Sequence, residues 1–135
     1  MKFLWNKKDG GPESKVWMYG IEIKSLFSLL LLRFEPGSRE AYHSHAFNAW
    51  SVVLGTGRLY EDHLYQFSGG EWTTGQLHEP GAAITTKRRT LHKVFSLGRT
   101  WVISFRGPWA KTWCEYNPAT KQTLTLTHGR VEVTS

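Results

Sequence analysis

Apolar residues fall in short runs broken at close intervals by glycine and proline, and no run holds a helical period over three turns. Ten runs, at 15–23, 26–34, 41–45, 50–54, 57–67, 82–86, 91–96, 100–105, 121–127 and 130–133, are rich in β-branched and aromatic residues and read as strands. Pro36-Gly37, Gly55, Gly57, Gly69-Gly70, Pro80-Gly81, Gly98, Gly107-Pro108 and Gly129 supply the turns. Strands this short and this closely spaced predict an all-β sandwich or small barrel, with a jelly roll as the choice within that class. The longest apolar run, 26–32, is interrupted by Ser28 and bounded by Lys24 and Arg33. It is far short of the roughly 20 residues of a membrane span and reads as a buried strand.

At 135 residues the chain can bury one sizeable core, so residues 1–135 are expected to form one domain with one site. Its 7 Trp, 7 Phe and 5 Tyr favour strands over helices. Cys114 is the one thiol, which excludes a disulfide framework, a cysteine-based zinc cluster and paired-thiol redox chemistry. A reducing, cytoplasmic location is expected, since the N-terminal residues also lack the apolar stretch of a secretory signal. The net charge of +6 is spread along the chain apart from Lys87-Arg88-Arg89, so nucleic acid is not an expected partner.

Chemistry concentrates in one segment. His43 and His45 are two residues apart, and in a strand they face the same side. Two imidazoles on one face can share a metal, and a third nitrogen from another strand would complete one side of its coordination sphere. His92 is the candidate for that third donor. Gly37, five residues, His43-x-His45, four residues to Trp50 and six more to Gly57 resemble the first motif of the cupin family. Gly81, five residues, then positions 87, 89 and 92 resemble the second, with Lys87 and Arg89 in place of its usual Pro and Gly and Ser96 in place of its closing Asn. The resemblance covers 37–96 and implies a cupin jelly roll, a double-stranded β-helix barrel completed by flanking strands.

The family's first motif usually carries glutamate where Trp50 stands, and indole cannot coordinate. What the resemblance then implies is a neutral three-histidine site, His43, His45 and His92. Donors of that kind suit Fe(II), Zn, Ni or Cu and hold Mg or Ca poorly. The same histidines can equally line a metal-free pocket. Asn48 offers an amide oxygen nearby, Tyr42 and Trp50 are candidate pocket walls, and Arg88 and Arg89 are candidates to orient an anionic group. Glu61 and His63 share a strand face opposite Asp62, so at most one of these sets can be catalytic. His78 and His128, next to turns, read as surface residues, and Cys114 as a half-buried small side chain.

Two functions follow. One is a metal-dependent enzyme, dioxygenase-like or isomerase-like, acting on a small molecule in the barrel. The other is a metal-free binding module for a small anionic metabolite such as a nucleotide or sugar nucleotide. A homodimer is expected in either case, because an exposed aromatic-rich sheet would need covering.

Overall fold

Alternation along β3 (Phe27–Phe34) sets the plan of the molecule. Ser28, Leu30 and Leu32 are buried while Phe27, Leu29 and Leu31 are exposed, the period of two that a sheet with one packed face requires. The computed structural model describes residues 1–9, 14–37, 42–55, 57–127 and 132–134, and within them the chain is strand and connection with no helix. Strands β1 (Lys2–Lys8), β2 (Val16–Ile23), β3, β10 (Thr100–Arg106), β5 (Ala49–Leu54) and β8 (Ala83–Thr86) form one antiparallel sheet in the order β1-β2-β3-β10-β5-β8. The facing sheet runs β13 (Glu132–Thr134), β12 (Gln122–Thr127), β11 (Thr112–Asn117), β4 (Tyr42–His43), β9 (Leu91–Ser96), β6 (Leu59–Phe67), β7 (Gly70–His78).

The ten expected runs all meet strands, and three further strands were not foreseen: β1, β7 and β11. β1 and β7 are sheet edges whose side chains are mostly exposed, so burial imposes no hydrophobic pattern on them. Residues 128–131, with His128 and the start of the last expected run, lie outside the described residues, as does Ala41.

Between the sheets, Leu30, Leu32, Val53, Leu59 and Val102 form the main core, with Val16, Met18, Phe34, Ile84 and Val94 packed against them. Burying each such side chain contributes about 1.5–3 kcal/mol. A second cluster, Tyr42, Leu64 and Tyr116 with Leu91, lies on the other face of the second sheet. Gly37 (φ 110°) and Gly81 (φ 88°), which open the two motifs, both adopt the left-handed backbone that glycine tolerates. Outside the first sheet, Phe27, Leu29, Leu31, Trp50, Ile103 and Phe105 are exposed, and Phe27 stacks on Phe105 at 5.7 Å.

A candidate metal centre in the barrel pocket

Between the sheets and beside the core lies a pocket of about 400 Å³. Strand register builds its polar wall: Glu115 pairs with His43, His43 with His92, and His92 with His63, across β11, β4, β9 and β6. Residues directly opposite each other in a sheet project to the same side, so this row presents four titratable groups on one face. His45 lies just past the end of β4. The segment carrying it is fixed by Ser44, whose N–H donates to the Cys114 carbonyl (2.9 Å) and whose Oγ accepts from the Cys114 N–H (3.0 Å).

One ring nitrogen each from His43, His45 and His92 can be chosen so that all three lie within 4.8 Å of one another. Nε2 of His45 and Nε2 of His92 are 2.8 Å apart, and the His43 ring stands 4.9 Å from each of the other two. Two metal–nitrogen bonds of about 2.0–2.1 Å at a right angle need a nitrogen–nitrogen separation of about 3 Å, so the donor set fits a transition metal. Glu61, His63 and His92 form a second such cluster that shares His92.

Glu61 organises the site from behind. This residue is 3% exposed and its Oε2 accepts from Nδ1 of His92 at 2.5 Å. Its Oε1 accepts from Nε2 of His78 at 2.9 Å and lies 3.1 Å from Nε2 of His63. Burial pushes the carboxyl up, but the hydrogen bond and charge of His92, followed by the bond from His78 and the nearby His63 ring, outweigh it and hold Glu61 well below the usual carboxylate range. When the His92 ring is neutral, as a metal ligand must be, the carboxylate holds its proton on Nδ1 and leaves the Nε2 lone pair directed at the pocket.

The sequence-based site therefore divides. His43, His45 and His92 come together on the pocket wall. Tyr42 does not join them, because in β4 it faces away from His43, into the cluster with Leu64 and Tyr116. Trp50 is 51% exposed on the outside of β5, whose pocket-facing residues are Ala49 and Ser51. Asn48 is exposed, and its Oδ1 accepts the Arg88 N–H at 2.8 Å, which ties down the β8–β9 turn; Arg88 and Arg89 are exposed on that turn. His78, expected at the surface, is 5% exposed and hydrogen-bonded to Glu61. The sequence signal for Glu61 was its alternation with His63; His78 and Glu115 carried none, since only cross-strand register brings them to the site.

No family model matches the chain, and no curated protein matches it. Among solved structures, a sugar phosphate isomerase from a cupin superfamily of Silicibacter pomeroyi is similar over 90% of this chain and 76% of its own, with 14% identity and a TM-score of 0.58. An oxalate oxidase is similar over 79% of this chain, with 17% identity and a TM-score of 0.55; the chain spans 59% of that protein. Streptomyces albus HEPD, solved with 2-hydroxyethylphosphonate and Fe(II), is similar over 78% of this chain and 24% of its own, at 13% identity and a TM-score of 0.56. At these identities the likeness is one of fold, and it agrees with the two facing antiparallel sheets and the pocket between them: the chain has the cupin jelly-roll fold.

Proposed function

We propose that the protein is a metal-dependent cupin enzyme, in which His43, His45 and His92 hold one divalent transition metal and a small molecule enters the barrel pocket beside it. The observation that carries this reading is the convergence of three imidazoles on the pocket wall, with Nε2 of His92 directed by the Glu61 carboxylate behind it. Neutral nitrogen donors favour Fe(II), Zn, Ni or Cu. Such a metal would supply either oxygen activation or Lewis-acid polarisation of a carbonyl or hydroxyl group. The chain's own part is to orient His92 through Glu61, which His78 also hydrogen-bonds, and to shield the bound molecule with the apolar end of the pocket, Leu32, Val94 and Val102. The proposal also takes in a cytoplasmic location, from the single thiol, and a homodimer, from the exposed apolar face of the first sheet.

The test is the metal content of untagged protein by inductively coupled plasma mass spectrometry. About one equivalent of iron, zinc, nickel or copper is expected in the wild type, and a loss of most of it in His43→Ala and His92→Ala. A wild type that carries none and takes up none on reconstitution overturns the enzyme reading in favour of a metal-free binding module.

A further inference from the structure

On the wall opposite the histidines, register lines up another row, Glu22, Ser28, Arg106, Ala49 and Thr86, across five strands of the first sheet. Arg106 is 3% exposed, yet it lines the pocket. Its guanidinium lies 4.5 Å from the centre of the Phe47 ring, and Phe47 stacks on His45 at 5.0 Å. Laid end to end, those two spacings place the guanidinium no more than about 9.5 Å from the His45 ring. The fork of Arg106 is occupied by Asp9, with Nη1 to Oδ1 at 3.3 Å and Nη2 to Oδ2 at 2.5 Å. Asp9 comes from the residue after β1, at the rim, and its side chain is more exposed than that of Arg106.

Two features mark this pair as more than a structural ion pair. Among the described residues, Nε of Arg106 is buried and has no hydrogen-bond partner, and neither has Oγ of Ser28, its cross-strand neighbour. Buried polar groups are almost always satisfied, so two adjacent unmatched donors call for an acceptor. The second feature is Lys24, whose ammonium lies 4.6 Å from the Trp109 ring centre, while Trp109 packs on Phe47 at 5.3 Å. Two cations therefore flank one aromatic pair on a pocket wall. Arginine presents a planar fork that matches carboxylate and phosphate oxygens.

We propose that Arg106 is the anion anchor of the barrel pocket and that the Asp9 carboxylate occupies it until a small anionic ligand displaces it. The ligand class is a small acid whose carboxylate or phosphate group seats on Arg106 while its other end reaches the histidine wall. This deepens the proposed function and rests on its pocket, but it requires no metal.

The test is isothermal titration calorimetry of chelator-treated protein with malonate and, separately, with inorganic phosphate; the stronger of the two identifies the anion. The expected results are measurable binding by the wild type, at least a tenfold loss in Arg106→Lys, which keeps the charge but loses the fork, and about a tenfold gain in Asp9→Asn, where the internal competitor is gone. Added anion should also raise the melting temperature of Asp9→Asn more than that of the wild type. An Asp9→Asn protein that is less stable and binds neither anion more tightly overturns the proposal, because Asp9 then only neutralises Arg106. Repeating the titration in His92→Ala separates the two readings: anion binding that survives there stands even if the metal reading fails.

Discussion

Replacing Glu61 by glutamine changes one atom at the centre of the histidine cluster and tests whether the carboxylate positions His92. In the native site both oxygens accept, one from Nδ1 of His92 at 2.5 Å and one from Nε2 of His78 at 2.9 Å. An amide has one acceptor oxygen and an NH₂ group, so in either orientation its NH₂ meets a ring nitrogen that now donates. One of the two bonds is lost unless that imidazole changes tautomer, and for His92 the change would take the lone pair off the pocket-facing Nε2. A hydrogen bond to a charged group contributes about 1.5–3 kcal/mol, and relief of the buried charge offsets part of the loss. The expected destabilisation is about 1–2 kcal/mol, which at this chain length is a fall in Tm of about 3–10 °C. Loss of such a carboxylate partner also weakens metal affinity by about 10- to 100-fold. Thermal unfolding of chelator-treated protein by circular dichroism reads the first effect, and a competition titration with zinc reads the second. A Glu61→Gln protein that melts within about 2 °C of the wild type and binds zinc with unchanged affinity refutes the positioning role.

The Lys121 ammonium, 2.7 Å from Glu71, and then the Tyr116 hydroxyl, at 2.8 Å, hold the Glu71 carboxyl below its usual range. The folded state thus resists protonation more than the unfolded chain does, and this stability is present above the ordinary carboxylate range and lost as the pH falls through the lowered value. Glu71→Gln should accordingly lose less Tm than the wild type between neutral pH and about pH 3, measured as Tm against pH. Ile103→Glu, in the middle of the exposed apolar face, should convert a dimer to a monomer in sedimentation velocity; a wild type that is already monomeric at high concentration removes the dimer. Arg88→Ala and Arg89→Ala, on the exposed β8–β9 turn, should leave malonate and phosphate binding within about twofold of the wild type, whereas a large loss would return the anion site to that turn.

What was legible in the sequence was whatever runs along a strand. His43 and His45 sit at fixed distances from the turn at Gly37, and His92 at a fixed distance from Gly81, so counting residues was enough to pair them. The same counting failed at Trp50 and Tyr42. Side chains alternate with a period of two, and an offset of one residue moves a side chain to the opposite face of the sheet. Ala49, not Trp50, points into the pocket, and Tyr42 faces away from it. Glu61 was named only through its alternation with His63, and His78, Glu115 and Arg106 were harder to find, because nothing near them in sequence ties them to the three histidines; register across β6, β7, β11 and β10 does. The glutamate absent from the first motif illustrates the difference. Along the chain its absence leaves three neutral donors and no carboxylate. Across the sheet, β6 brings Glu61 behind His92, where a carboxylate acts on a ligand's basicity and orientation without occupying a coordination position. With Ala49 small and Arg106 its direct neighbour on β10, the space left on the first sheet is bordered by the Arg106 guanidinium, and an acid that displaces Asp9 there would bring to the pocket the carboxylate that the motif lacks.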